Sequence, residues 1–386
     1  MANTSFAARG LALSIYEPLW RGGAFYGDYG QQATAYAHTI ANVGGFFDAS
    51  LTLSESVARL ENWLDNGLGR RVVVSADADS VVWEGFVNQI EINVAGVRKT
   101  IGPYLDIANK IKLIYSSFDT STGVVLSGLR LSTDYVTNAA SIAKYGTLTK
   151  ILSTSGVSDD MITYLLNLTL DKLSRPTRSE DLTVPAQNSA FELRLDCVGY
   201  QALLGRFPYN NTATALVNVS DKLKAILQAE PNSTISTDLT GITANTLQVS
   251  SYEQDDNMAS DIIKGIVNLG DISGNRYTFG LYENRRAVYQ PISQSIKYLR
   301  PLREGASIIL DNIGGVVAPW RIRPGAWIWV ADLLPAKAQE ADLDNDARAI
   351  FAETVSFRAP DTLTINGAHT FKIEQKLNQL GIGGFS

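Results

Sequence analysis

The chain has 386 residues, 45% of them hydrophobic and 19% charged, a length that calls for more than one core and a composition that excludes extended disorder. Its 39 acidic and 33 basic residues leave a net charge of -6, which excludes a surface built to neutralise phosphates, so nucleic acid is expected to meet this protein only in transit. A single cysteine, Cys197, excludes a disulfide framework and a thiolate zinc site, and no window of eighteen apolar residues marks a membrane span.

The start of the chain lacks a charged segment followed by a long apolar one, so a protein made in a cytoplasm and kept soluble is expected. Residues 1–45 are rich in Gly and aromatics. Phe46 to Leu53 then reads as a strand, and Ser54 caps a helix in which Val57, Leu60, Trp63 and Leu64 recur at helical spacing before Gly67 and Gly69. Three Val- and Ile-rich runs follow, Arg71 to Ser75, Val81 to Val94 and Val97 to Ile101. Ala95-Gly96 turns a hairpin between the last two, and Gly85 marks a bulge or bend.

From about residue 116 the pattern changes to a Ser- and Thr-rich stretch, then helices at Ala139 to Leu152 and Ser158 to Leu173. In the second, Met161, Leu165, Leu168 and Leu173 are spaced for one buried face, and Pro176 ends it. Phe191 to Val198 alternates as a strand with Cys197 as a small core residue. A helix at Val219 to Gln228 capped by Ser220 comes next, then an extended stretch at Thr246 to Tyr252 and a helix at Met258 to Leu269 with Ile262, Ile263, Ile266 and Leu269 on one side. Arg276 to Tyr282 and Ala287 to Pro291 read as a hairpin. The last segment holds a Trp-rich run from Trp320 to Trp329, an acidic stretch from Gln339 to Arg348, strands at Ile350 to Phe357 and Thr362 to Ile365, and a Gly-rich tail suited to docking. The expected organisation is 1–115 and 190–305 as two β modules, 116–189 as a partly helical insertion, and 306–386 as a β segment with a docking tail.

Chemistry is sparse. The two histidines, His38 and His369, have no nucleophile elbow nearby, and no phosphate-binding glycine motif is present. The carboxylate pairs Asp159-Asp160 and Asp255-Asp256 stand at helix starts, where they complement the helix dipole. Asp342, Asp344, Asp346 and Glu353 match positions 1, 3, 5 and 12 of a calcium loop, but Ala347 stands where the sharp turn needs Gly, and a strand rather than a helix follows Glu353. Trp320, Trp327 and Trp329 are candidate subunit-interface residues, with sugar stacking as the alternative; alternation places Trp327 and Trp329 on one strand face. No cofactor and no enzymatic activity are expected.

Several runs of fold residues resemble the family of siphophage tail-tip and baseplate hub-like minor tail proteins, and through their layout the hub proteins of contractile injection systems. They are Trp83-Glu84-Gly85-Phe86-Val87-Asn88-Gln89-Ile90, Ile101-Gly102-Pro103-Tyr104-Leu105-Asp106-Ile107-Ala108-Asn109-Lys110-Ile111 with Tyr115, Lys144-Tyr145-Gly146, Leu195-Asp196-Cys197-Val198-Gly199-Tyr200 with Val219-Ser220-Asp221-Lys222, and Tyr252-Glu253 through Leu269 closing on Arg276 to Tyr282. The similar region runs from about residue 46 to the closing Leu380-Gly381-Ile382-Gly383-Gly384. The resemblance implies an α+β, mainly β fold with two small hub-type β-barrel modules, flanking helices and an inserted helical segment. It implies a structural component of a virion tail, assembled in the host bacterial cytoplasm. Three copies would form a ring that continues the tail tube and lets DNA and the tape-measure protein pass, in contact with tube, distal tail and tip or fibre proteins. Six copies would suit a distal tail adaptor, and a peripheral receptor- or carbohydrate-binding tail protein is a further alternative.

Overall fold

The computed structural model describes residues 11–76, 80–94, 96–119, 124–182, 192–254, 256–292, 296–299, 307–310, 322–325, 327–330, 349–358 and 362–368. Its opening segment is β-structure: β1 (Leu11–Tyr16), β2 (Phe25–Asp28), β3 (Ala33–Ala41) and β4 (Val43–Ser54). Leu11, Leu13 and Ile15 alternate along β1 and are all buried, the period-two pattern that sets one face of a strand on a core. Helix α1 (Val57–Asn66) buries Leu60 and Trp63, and its N-cap is Ser56. Ser54, expected to cap it, instead ends β4 and donates its backbone N–H to Gln32.

Strands β5 (Arg71–Ala76), β6 (Ser80–Val94) and β7 (Val97–Ile101) form the expected meander, with Gly96 at φ +85° in the turn. Gly85 itself is in register. The bulges flank it, since Val82 is passed over against β5 and Asn88 against the strand 192–198. Gly85 is needed for close approach, because a Cβ there would stand 2.3 Å from the Val198 carbonyl and 2.4 Å from the Trp83 ring.

The middle of the chain contains β8 (Lys110–Asp119), β9 (Val124–Ser132), β10 (Val136–Thr137), α2 (Ala139–Tyr145), β11 (Thr149–Val157), α3 (Asp159–Leu173) and β12 (Arg178–Leu182). The helix expected to reach Leu152 stops at Tyr145, where Gly146 takes φ +73°, a left-handed conformation that costs glycine little. Residues 149–157 then run as a strand parallel to β8. Along α3 the buried residues are Ile162, Leu166 and Leu170, while Met161 and Leu168 of the expected buried face are exposed. Both stripes are apolar, and the one that meets Ile111 and Leu113 of β8 is the one shielded.

The remaining elements are β13 (Glu192–Val198), α4 (Gln201–Leu204), β14 (Leu216–Asn218), α5 (Val219–Gln228), β15 (Gln248–Ser250), α6 (Ala259–Leu269), β16 (Tyr277–Tyr282), β17 (Arg286–Pro291), β18 (Ile296–Leu299), β19 (Ser307–Leu310), β20 (Trp327–Val330), β21 (Ala349–Arg358) and β22 (Thr362–Ala368). The α5 helix has the expected bounds, with Asn218 rather than Ser220 at its N-cap. In α6 Ile263, Ile266 and Val267 are buried, and Leu269 is exposed.

The fold is α+β and mainly β. Among the described residues the strands do not close into two barrels. They join in one open path, β18-β20-β21-β3-β4-β13-β6-β5-β1-β2, with β7 and β12 continuing from β6, and β16 pairing with β4 and β17. The physical reason lies in β13, which pairs antiparallel with β4 on one edge and β6 on the other, while β16 pairs parallel with the start of β4. Segments far apart in sequence thus complete the same sheet. A separate four-stranded sheet, β8 with β9, β10 and β11, carries α3 and a second small core.

Candidate assembly surfaces

Buried charges fix the elements that carry the outer surface. The Arg70 guanidinium, almost fully buried, lies 3.5 Å from the centre of the Tyr26 ring and 4.8 Å from that of Trp63. It donates to the Glu17 carboxylate at 3.0 Å and to Asn62 Oδ1 at 2.6 Å, so β1, β2 and α1 are held by one planar cation. Glu84 on β6 has no exposure; it accepts from Arg71 Nε at 2.9 Å and from the Asn284 backbone N–H at 2.7 Å, fastening the β16–β17 hairpin to the sheet. Burial raises the Glu84 pKa, and the Arg71 charge and both hydrogen bonds offset part of that rise. Asp256 gathers Lys112 at 2.5 Å, Asn210 at 2.8 Å and Tyr135 at 3.1 Å, tying β8 of the small sheet to the loops before α6. Burial pushes this carboxyl up, but the bonds from Lys112, Asn210 and Tyr135 and the Lys112 charge hold it below the usual value.

Strands β21, β3, β4 and β13 lie side by side and present two unlike faces. The inner face carries Tyr36, His38, Ile40, Ala49, Cys197 and Phe357, all buried. The His38 ring lies 5.4 Å from the ring centres of both Tyr36 and Phe357, its Nδ1 has no hydrogen-bond partner, and burial pushes its pKa down to about 3. The same burial pushes the Cys197 thiol up. Neither group is ionised at neutral pH, which suits an apolar core. The outer face carries Thr39, Asp48, Ser50, Asp196, Ser356 and Arg358 around a concavity of about 640 Å³. Thr39 and Ser356 are joined through their hydroxyls at 3.3 Å, and Asp196 pairs with Arg194 at 3.5 Å. This surface offers hydroxyls and balanced charges. It has no cluster of free cations able to grip a phosphate chain.

Several large apolar side chains lie in solvent: Phe25 on β2, Phe47 on β4, Leu182 at the end of β12, and Met161, Tyr164 and Leu168 in a stripe along α3. Sequence reasoning missed these, since apolar side chains are assigned to a core by default. The signal available in α3 was a second apolar stripe beside the one that packs.

Of the candidate residues, Trp327 and Trp329 lie on β20, whose backbone pairs in parallel with β18 and antiparallel with β21, placing the two tryptophans at positions that share a strand face. Trp320, Asp342, Asp344, Asp346 and His369 lie outside the described residues. Glu353 is exposed, stands at the bulge in β21 opposite β22, and accepts from the Asn42 N–H through its backbone carbonyl at 2.8 Å. Among the described residues no group of three or more His, Cys, Asp or Glu side chains is arranged to hold a metal ion, and no helix is long and apolar enough to cross a membrane.

No protein-family model and no curated protein matches the chain. Among solved structures the chain is similar to the tail protein from Neisseria meningitidis MC58, at 10% identity over 93% of this chain and 96% of that one, with a TM-score of 0.45. It is also similar to the 43 kDa tail protein of prophage MuSo2 from Shewanella oneidensis, at 8% identity over 93% and 98%, with a TM-score of 0.42. A third is the E. coli c3393 protein, described as a component of the type VI secretion system with structural similarity to T4 bacteriophage tail proteins gp27 and gp5, at 11% identity over 88% and 74%, with a TM-score of 0.36. The three are described as tail proteins and a secretion-system component.

Proposed function

We propose that the chain is a non-enzymatic structural component of a phage tail tip, a hub-type subunit whose copies close a ring that continues the tail tube and lets DNA and the tape-measure protein pass. The observation that carries this reading is the outer face of β21, β3, β4 and β13, a concave wall of Thr39, Ser50 and Ser356 hydroxyls among Asp48, Asp196 and Arg358. A bore-facing wall must let a polyanion slide, which needs hydration without net attraction. On a chain of net charge -6 this face provides it. The runs that resemble the hub-like family support the same reading. Three copies are the favoured ring, and the virion tail is the favoured location.

The test is a pair of cysteine labels on the assembled particle. Ser50→Cys lies on the proposed bore wall and reacts with a small maleimide but is shielded from a maleimide on a long polyethylene glycol once the ring forms. Thr163→Cys, on an exposed position of α3, reacts with both. Equal reaction of the Ser50→Cys variant with the large reagent in assembled and dissociated protein would remove this face from the bore.

A further inference from the structure

We propose that two copies of this chain associate through the free edge of β11, antiparallel about a twofold axis at Ser153, in a contact separate from the proposed ring. Strand β11 pairs in parallel with β8 on one edge, and among the described residues no strand pairs with its other edge. Among the described residues its first residue is engaged there, Thr149 donating its N–H to the Arg206 carbonyl at 2.8 Å. Ser153, Thr154 and Ser155 are exposed, and α3 packs over β8 and β10.

An unpaired strand edge is a template for another strand, and soluble proteins guard such edges with charge, Pro, shortness or a covering loop. Three other edges among the described residues carry those devices. Strand β12 has Arg178, Glu180 and Asp181, and β2 is four residues long. Strand β17 ends in Pro291, and its Tyr289 exchanges hydrogen bonds with the loop at Gly241 and Thr243. Strand β11 carries one charge, Lys150 near its start, and a register shift against β8 between Ser155 and Val157, but the run Ile151-Leu152-Ser153-Thr154-Ser155 between them contains no charge and no Pro.

The same segment complements itself. With Ser153 opposite Ser153 of the second copy, Leu152 faces Thr154 of the second copy, and Ile151 faces Ser155 of the second copy. Both are β-branched or hydroxylic pairings that fit a pleated surface. The charge on β11, Lys150, lies three residues from the axis, so the two lysines stand about 20 Å apart at a strand rise of about 3.3 Å per residue. No like charges meet. A single strand pair buries less than the roughly 1,200 Å² of a stable interface, so the contact forms with rising concentration and dissociates on dilution.

The experiment uses the full chain. In Ser153→Cys the two thiols meet at the axis, within the Cα separation of about 4.4–6.8 Å that a disulfide needs, whereas in Ser155→Cys they stand about 13 Å apart along the strand. The native Cys197 is buried and does not compete. Mild oxidation is expected to convert Ser153→Cys largely to a covalent dimer, to leave Ser155→Cys at least tenfold slower, and to lose the dimer when Thr154→Lys is added. Exchange of the amide hydrogens of 151–155 in the unmodified chain is expected to slow as concentration rises. Cross-linking at equal rates at both positions, or a Ser153→Cys chain that stays reduced while native circular dichroism is kept, overturns the twofold contact. Amide protection that appears only when another protein is added also overturns it, since the edge then serves a different chain. A ring of three seen without Ser153→Cys cross-linking refutes this contact and leaves the ring reading standing.

Discussion

His38 offers a direct measurement of how dry the core behind the outer face is. Its imidazole is buried between Tyr36 and Phe357, and burial alone lowers its pKa to about 3, against about 6.5 in an unfolded chain. The unfolded chain therefore binds a proton between those values that the folded chain refuses. The stability this neutral ring permits is fully present above pH 6.5 and falls as pH drops toward 3, by about 1.4 kcal/mol per unit. At pH 5 the loss is about 2 kcal/mol, and near pH 3 it approaches about 4–5 kcal/mol. In His38→Phe a ring of similar shape fills the gap, the unpartnered Nδ1 is removed, and the proton-linked penalty disappears. Urea unfolding of both proteins at pH 7, 6, 5 and 4.5 separates this from the shared titration of carboxylates. The variant should be within about 1 kcal/mol of the parent at pH 7 and should gain on it steadily, by about 2 kcal/mol at pH 5. A difference that stays constant from pH 7 to 4.5 would refute the burial of a neutral His38.

Other substitutions probe the remaining anchors. Glu84→Gln leaves Arg71 beside a neutral amide and should destabilise the chain by about 3 kcal/mol in urea unfolding; a loss under about 1 kcal/mol would mean that the buried Arg71–Glu84 pair is no anchor between β5 and β6. Gly85→Ala drives a methyl into the Val198 carbonyl and the Trp83 ring and should cost about 2–3 kcal/mol, or give insoluble protein, with a silent substitution counting against the close approach. Leu168→Lys removes an exposed apolar side chain from α3 and should shift stability by no more than about 0.5 kcal/mol while raising solubility; a clear drop in melting temperature would mean that this face is packed.

Local pattern made much of this protein legible. Val219, Leu223, Ile226 and Leu227 are spaced so regularly that the bounds of α5 follow from the sequence, and Gly96 at positive φ completes the expected β6–β7 hairpin. Legibility failed where two local signals competed. Ile151 and Leu152 continue the apolar run of α2, and only Gly146 indicates that the helix has ended. In α3 either of two apolar stripes could have packed, and the position of β8, which decides it, is a tertiary fact. Non-local pairing was invisible for a similar reason. Alternation in β13 identifies a strand, but nothing in Leu193, Leu195 or Cys197 says that both edges are occupied by β4 and β6. The outer face is a consequence of that pairing, because Thr39, Asp48, Asp196 and Ser356 come from four strands spread from residue 33 to residue 358.

The most direct test of the central claim is the particle mass of the purified full chain by light scattering across a concentration series, joined to negative-stain images of the same samples. The hub reading predicts closed rings with an open bore and three times the 41.9 kDa chain mass. A protein that remains a monomer at every concentration and in the presence of its tail neighbours, with no ring in the images, would contradict it.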